Sequence, residues 1–185
     1  MKALLYCCKN IPYINKYGND ITDYPDYVFD CEGINGKIAA ECDYEVEEII
    51  ANDVNLYDEY SIKYTTKNGY SHIDDNFEAL LDNSCLNAFE LNDYLGGYGG
   101  YAIHIKNLKI FDESKKTSEY NTYNRNGKVH IADIPIYTAP QNMMYAFDYY
   151  GNPFVLISVR PELMCKILNG ECTIIVKKKV LKEML

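Results

Sequence analysis

The fold is decided by the stretch Val155–Lys179, which reads VLISVRPELMCKILNGECTIIVKKK. The residues before Pro161 are mostly β-branched or large and apolar, which predicts a strand that ends at the proline. Proline is favoured in the first turn of a helix, where its missing N–H would have no partner. Four apolar residues then share one helical face: Leu163, Met164, Ile167 and Leu168. Gly170 is placed to end this helix, and the β-branched run 173–176 predicts a second strand before the basic cluster Lys177–Lys179.

Outside this stretch further strands are predicted, most clearly in Lys37–Val46, where apolar and polar residues alternate. The segments are Ala3–Cys7, Lys37–Val46 after the Asn35-Gly36 turn, Ser61–Thr66, Tyr101–Ile110, Val129–Ile136 and Ala146–Tyr149. Helices are predicted at Asn76–Asp82 and Asn87–Leu95, with Ser84 as the N-cap of the second and Gly96-Gly97 at its end. The glycine run 96–100 follows a helix instead of starting one, which predicts a flexible connector and no phosphate loop.

The composition indicates one folded domain. Of 185 residues, 48% are hydrophobic and 24% charged, so the chain can bury a core, and we predict a single domain over 1–185. Two polar segments, at about 10–35 and about 113–128, interrupt this domain. The net charge is −9, which excludes non-specific binding of duplex DNA, because proteins that neutralise many phosphates are basic on the binding face. The net charge does not exclude a local basic pocket that binds a nucleotide or a short single strand.

Seven cysteines and three histidines are spread along the chain without zinc-ligand spacing. Neither a metal site nor a cofactor is therefore predicted. The N-terminal sequence MKALLYCC is too short an apolar run for a secretory leader, and no stretch is long enough to span a membrane. We expect reduced cysteines, no membrane partner and a cytoplasmic location.

Nine residues of the deciding stretch match, position by position, the opening unit of ASCH domains, a branch of the PUA-like superfamily. They are Ser158, Arg160, Pro161, Glu162, Lys166, Ile167, Leu168, Gly170 and Thr173. Shorter likenesses cover Met1–Lys9, Gly36–Val46, Ser84–Asp112 and Thr138–Gln141. In the family the opening unit comes first, whereas here it comes last and the other segments precede it in the usual order. The resemblance therefore implies an α+β fold, a mixed PUA-like β-barrel with flanking helices, in a circularly permuted order.

The resemblance also implies a ligand cleft, lined by Lys9, Ser158, Arg160, Thr173 and Lys177. Arginine and lysine on a rigid rim can hold a phosphate, and arginine can do so with two parallel hydrogen bonds. The implied function is non-enzymatic binding of RNA or of a modified nucleotide. The alternative interpretation is that Arg160 caps the helix or pairs with Glu162, and that the lysines form a solvated face.

Two other functions remain open. Some PUA-like relatives are amidohydrolases that act on acetylated cytidine with a lysine and a threonine of the second strand. Here those positions hold Cys172 and Ile175, which can do neither job, so the sequence favours a non-enzymatic protein. Cys172 as a nucleophile would need a base such as His104 or His130, and a cysteine in a strand is more often a small hydrophobe. The third candidate is an accessory protein that contacts a basic partner through the acidic region 20–60.

Overall fold

The structure is a computed structural model that describes residues 1–9, 30–52, 63–66, 75–122 and 134–185. Its helices are α1 (Asp75–Ser84), α2 (Ala88–Leu95) and α3 (Pro161–Leu168), with 3-10 turns at Thr117–Glu119 and Lys182–Met184. The strands are β1 (Lys2–Cys7), β2 (Ile38–Asn52), β3 (Lys63–Thr66), β4 (Gly100–Lys115), β5 (Asn121–Thr122), β6 (Ile134–Pro135), β7 (Met143–Phe147), β8 (Pro153–Val159) and β9 (Ile174–Lys177).

The predicted α+β class is confirmed, with strands paired in both parallel and antiparallel directions. Hydrogen bonds connect the strands in the order β6-β5-β7-β8-β1-β2-β4-β9, and β3 pairs with β2. Within the described residues, no pairing joins β6 to β9, the two ends of this order. A closed barrel and the circular permutation therefore stay predictions.

The chain divides into two compact units, each made of two chain segments. Unit 1 comprises Met1–Glu41 and Lys109–Cys165, and unit 2 comprises Cys42–Leu108 and Lys166–Leu185. The strands β2 and β4 and the helix α3 each have residues in both units. That the whole chain forms one domain also stays a prediction.

Unit 1 is built around β8, which lies between β7 and β1. It runs antiparallel to β7 and parallel to β1, in a register that extends from Lys2 opposite Phe154 to Cys7 opposite Val159. Every residue of 154–159 is buried, as expected for an uninterrupted apolar strand that is covered on both faces. The core of this unit consists of Leu4, Tyr6, Ile38, Tyr120, Ile136, Ala146, Phe154 and Leu156.

Unit 2 has its own core, formed by helices α1 and α2 and the strands of this unit. The buried side chains are Ile49, Leu80, Leu91, Leu95, Ala102, Ile174 and Val176. The prediction that 96–100 is merely a flexible connector misses the packing of its last two glycines. A Cβ on Gly99 would lie 2.6 Å from the carbonyl oxygen of Ile49, and one on Gly100 would lie 2.7 Å from a methyl carbon of Leu95. Only glycine allows these close approaches.

The deciding stretch folds as predicted. Pro161 begins α3, the N–H of Met164 donates to the carbonyl of Arg160 at 2.8 Å, and Gly170 follows the helix with a φ of 78°. Of the four residues on the apolar stripe, Met164 and Ile167 are buried and the other two are half-buried.

Two boundary predictions are wrong. Ser84 does not cap α2; it is the last residue of α1, and its hydroxyl donates to the carbonyl of Leu81 at 3.2 Å. Asn87 takes the cap position, because its spacing to Glu90 completes a reciprocal capping box. The polar run after residue 113 is not simply a loop, since β4 continues to Lys115 and β5 follows. Pairing of β5 with β6 and β7 overrides its polar composition.

Candidate functional site

The parallel pair β1 and β8 delivers two cationic residues to one edge of unit 1. Cys7 lies opposite Val159, and the N–H of Cys8 donates to the Val159 carbonyl at 2.8 Å. Arg160 directly follows β8, Lys9 lies two residues beyond the end of β1, and both residues are exposed. Because parallel strands end at the same edge of a sheet, both residues lie at this edge of unit 1. The resemblance to ASCH domains suggested both residues, and the register of β1 and β8 accounts for their position at one edge.

The position of Lys9 depends on Gly36, a contact that the sequence did not predict. Gly36 has a φ of 85°, and its N–H donates to the carbonyl of Cys7 at 2.8 Å. A Cβ on Gly36 would lie 2.7 Å from Cε and 3.1 Å from Cγ of Lys9, so the lysine stem lies directly across this glycine. The Asn35-Gly36 pair was recognised as a turn, and the turn also supports the lysine.

Ser158 holds a loop beside the end of β8. Its side chain is 2% exposed, and its hydroxyl donates to the carbonyl of Pro140 at 2.5 Å, while its N–H donates to the carbonyl of Asn142 at 2.8 Å. The 136–142 loop is anchored at its other end by Ile136, which is buried. Between these anchors Tyr137 is 80% exposed. Ser158 was predicted to contact a ligand; in the structure its hydroxyl proton is donated to the Pro140 carbonyl and so helps to position the loop.

The charge at this edge is mixed. Within the described residues, no ion pair engages Lys9 or Arg160, and none joins Arg160 to Glu162. Two acidic groups act on the neighbouring thiol: burial raises the pKa of Cys7 to about 12, with further contributions from Cys8 and from Asp30 and Glu162. An anion held by the two cations would therefore also meet acidic neighbours.

A disulfide and a shared amide support the loop that carries Gly36. Cys31 is bonded to Cys165 of α3, with a Cα–Cα distance of 5.8 Å. The Asn35 side-chain oxygen accepts hydrogen bonds from the N–H of Cys31 at 3.1 Å and from the thiol of Cys7 at 3.3 Å. The expectation that all cysteines are reduced is wrong for this pair. Irregular cysteine spacing in the sequence does not reveal which residues meet in space.

The other two predicted site residues belong to unit 2. Thr173 is exposed; its N–H donates to the carbonyl of Asn83 at 2.8 Å, and its hydroxyl donates to the side-chain oxygen of Asn83 at 3.3 Å. Lys177 is half-buried and lies opposite Tyr101 in the register of β4 and β9. Each residue therefore has a structural contact of its own, and a ligand role for either stays a prediction.

Cys172 has the surroundings of a structural thiol. It is 1% exposed, and its sulfur donates to the carbonyl of Ile174 at 3.2 Å. Burial raises the pKa of Cys172 to about 11, which keeps it protonated at neutral pH and makes it a weak nucleophile. His104 is hydrogen-bonded to Glu47 at 3.1 Å, and His130 lies outside the described residues. Ile175 is also buried, so these two positions supply no general base and no hydroxyl nucleophile.

The acidic residues of β2 face polar partners. In unit 1, Glu41 pairs with Lys2 at 3.2 Å and with Lys109 at 3.7 Å. In unit 2 three further contacts link β2 to β4: Asp43 with Asn107 at 2.8 Å, Glu45 with Lys106 at 2.6 Å, and Glu47 with His104 at 3.1 Å. The three lysine contacts reduce the unbalanced charge that the acidic region 20–60 would offer a basic partner; residues 20–29 and 53–60 lie outside the described part of the chain.

The described residues contain no helix with the length and apolarity needed to cross a membrane. They also contain no cluster of three or more histidine, cysteine or acidic side chains arranged to hold a metal ion. Comparison of the chain with known proteins found no match among family models, curated proteins or solved structures.

Proposed function

We propose that this protein is a non-enzymatic binding module of the ASCH or PUA-like type that recognises RNA or a nucleotide through its phosphate. The observation that supports the proposal is the position of Lys9 and Arg160 just beyond the carboxyl ends of the parallel strands β1 and β8. The strand register brings them to one edge, and Gly36 supports the lysine stem. The edge of parallel strands that leads into a helix is a common place for ligands.

The chemistry of this edge suits a phosphate group. Arginine offers a planar fork that matches two phosphate oxygens, and lysine adds a compact charge. The N-terminus of α3, which directly follows Arg160, adds the positive end of a helix dipole. The acidic Glu162 in the first turn of α3 limits the attraction, which favours one or two phosphates over an extended backbone.

The 136–142 loop offers a surface for a base. Tyr137 is largely exposed, and the hydrogen bond from Ser158 to Pro140 fixes the loop that carries it. Bases of single-stranded RNA stack on exposed aromatic rings, each with a contribution of about 1–3 kcal/mol. The proposal therefore assigns phosphate to Lys9 and Arg160 and a base to Tyr137.

Fluorescence anisotropy with labelled short RNAs, and thermal shifts with nucleotides and modified nucleosides, test this proposal. Lys9→Ala and Arg160→Ala should each weaken binding about tenfold, which corresponds to roughly 1.4 kcal/mol. Tyr137→Ala should weaken ligands that carry a base and leave inorganic phosphate unaffected. Glu162→Gln should tighten binding a few-fold, because it removes a negative charge near the phosphate.

Lys109→Ala is the matched control for charge. It removes one lysine from the same unit, but this lysine is paired with Glu41. If Lys109→Ala weakens binding as much as Lys9→Ala, the attraction is non-specific and the proposed site is wrong. A panel in which no ligand binds or shifts the melting temperature would also overturn the proposal.

Thr173→Ala and Lys177→Ala form a separate pair of variants. The family resemblance predicts that both weaken binding, whereas the contacts at the edge of unit 1 require neither. Binding that is lost in all four variants would support the full family cleft. Loss only in the Lys9 and Arg160 variants would restrict the site to unit 1.

A further inference from the structure

We propose that Cys85 and Cys172 form a redox-active dithiol that closes to a disulfide when a hydroperoxide oxidises it. Both residues lie in unit 2, and both are free cysteines in this structure. The proposal concerns a modification site that is independent of the ligand site in unit 1.

Hydrogen bonds hold Cys85 close to the segment that carries Cys172. The Cys85 thiol donates to the carbonyl of Glu171, the residue before Cys172, at 3.4 Å. The backbones on either side are joined as well. The N–H of Thr173 donates to the carbonyl of Asn83 at 2.8 Å, and the Thr173 and Asn83 side chains share a hydrogen bond of 3.3 Å. These contacts hold the segments of the two cysteines next to each other.

The backbone at Cys85 suggests that the thiol has a use. Cys85 follows the end of α1 with a φ of 53°, and the N–H of Leu86 donates to the carbonyl of Leu81 at 3.1 Å. This is the Schellman arrangement, in which the left-handed position is usually glycine because a Cβ is disfavoured there. A cysteine at this position carries a conformational cost that glycine would avoid.

Exposure decides which sulfur reacts first. Cys85 is half-buried, whereas Cys172 is 1% exposed and stays protonated at neutral pH because burial raises its pKa to about 11. Hydroperoxide therefore meets Cys85, transfers one oxygen atom to it and leaves as water or an alcohol, giving a sulfenic acid. The sulfur of Cys172 then attacks the Cys85 sulfur, and this second step is the slow one because Cys172 is a weak nucleophile while it is protonated. The S–O bond breaks, and the departing hydroxide takes the Cys172 proton and leaves as water. The two thiols lose two electrons in total, and the peroxide gains them.

The product would link the turn after α1 covalently to the residue before β9. These two segments are distant in the chain, so the crosslink restricts the unfolded state strongly. Oxidation should therefore raise the melting temperature of the protein by several degrees.

The test treats the native full-length protein with a small excess of hydrogen peroxide, blocks the remaining thiols and maps peptides by mass spectrometry without reduction. We expect a new peptide pair that joins Cys85 to Cys172, and loss of two of the five free thiols. The rise in melting temperature should accompany the crosslink. Cys85→Ala should lose the crosslink and the rise, while Cys42→Ala, which removes another buried free cysteine of unit 2, should keep both.

Three results would overturn the proposal. The first is a Cys85 that ends as sulfinic acid while Cys172 keeps its thiol. The second is a new disulfide that joins other cysteines. The third is oxidation of Cys85→Ala with the same loss of two thiols as the native protein. Because Cys85 is half-buried and outside the core of unit 2, the Cys85→Ala variant should fold. Each of the three results can therefore be interpreted without interference from unfolding.

Discussion

Gly36 links backbone conformation to the placement of a charge. With a φ of 85° and the stem of Lys9 lying across it, Gly36 satisfies two requirements that only glycine meets together. Gly33 has a similar φ of 75°, but a Cβ there would meet nothing within 4 Å. A comparison of alanine variants at the two glycines therefore separates the free-energy cost of the backbone conformation from the effect on the position of Lys9.

We predict that Gly36→Ala and Gly33→Ala each lower the free energy of unfolding by about 1 kcal/mol, because alanine is disfavoured in the left-handed region. The far end of the Lys9 side chain can move, so the extra cost at Gly36 should be small. Only Gly36→Ala should weaken phosphate binding, because only this variant displaces the ammonium group. Urea unfolding and anisotropy titrations measure the two effects. Equal binding by both variants would show that Gly36 does not position Lys9.

The resemblance to ASCH domains suggested Lys9 and Arg160 as ligand residues, and their role in binding stays a prediction. The resemblance could not identify the support from Gly36 or the bond between Cys31 and Cys165. These contacts join residues far apart in the chain, and sequence spacing carries no information on which of several cysteines meet.

At the scale of the element, α2 is defined by its first turn. Glu90 donates its N–H to the side-chain oxygen of Asn87 at 2.9 Å, and the Asn87 N–H donates to the Glu90 carboxylate at 2.9 Å. Gly96 ends the helix in the left-handed region with a φ of 66°. Both ends of this short helix are therefore stabilised by local contacts.

We predict that Asn87→Ala lowers the free energy of unfolding by about 1 kcal/mol, because a helix N–H loses its partner. Ser84→Ala is the matched control, since it alters the residue that the sequence suggested as the cap. Its hydroxyl bonds only within α1, so the variant should change stability by less than about 0.5 kcal/mol. Chemical denaturation compares the two. A larger loss for Ser84→Ala would restore the original assignment of the cap.

The turn between β7 and β8 depends on one carboxylate. Asp148 accepts hydrogen bonds from the N–H of Tyr150 at 2.9 Å, the N–H of Asn152 at 2.8 Å and the side chain of Asn152 at 2.7 Å. Burial alone would raise the pKa of Asp148, but these hydrogen bonds, with Asn152 foremost, bring it below its ordinary value. The turn is therefore more stable when Asp148 is ionised.

We predict that Asp148→Asn destabilises the protein at neutral pH by less than about 1 kcal/mol, because the site is open to solvent. A lowered folded-state pKa gives stability that is present above the unfolded pKa of about 3.9 and is lost as the pH falls through the folded value. The difference between native protein and variant should thus shrink as the pH falls below the unfolded value. Urea unfolding at several pH values measures it, and a difference that stays constant with pH would contradict the assignment.

The helices and strands were predicted correctly where short-range sequence signals specify them. The unit of β8, α3 and β9 has a proline at its helix start and a glycine after its helix end, so short-range chemistry specifies it. The extension of β4 to Lys115 was missed because the sequence becomes polar there. In the structure the Lys115 ammonium lies 4.3 Å from the centre of the Phe111 ring, a contact that keeps a charged residue compatible with the strand.

At the scale of the whole molecule, the disulfide between Cys31 and Cys165 is the covalent constraint of unit 1. Its cysteines are separated by 134 residues, so the bond removes many conformations from the unfolded chain. Cys31 is fully buried, and Cys165 lies on α3.

We predict that the double variant Cys31→Ala, Cys165→Ala lowers the free energy of unfolding by about 2–4 kcal/mol. Cys7→Ala is the control, because it removes a buried thiol of the same unit without breaking a crosslink. Urea unfolding without reductant measures the loss. Intact-mass analysis of unreduced protein gives an independent check, since the native chain should be two hydrogens lighter than its reduced form. A native protein with the mass of the fully reduced chain would contradict the prediction.

The sequence by itself determined the α+β class, the deciding strand-helix-strand unit and most strands. These features follow from the periodicity of apolar residues and from proline, glycine and asparagine at fixed positions, which act over a few residues. Only the tertiary structure decided that β1 runs parallel to β8, that Lys9 and Arg160 therefore follow strand ends at the same edge, and that Cys31 pairs with Cys165. Those contacts join segments that are distant in the chain, so they depend on strand register and core packing, which no short stretch of residues encodes.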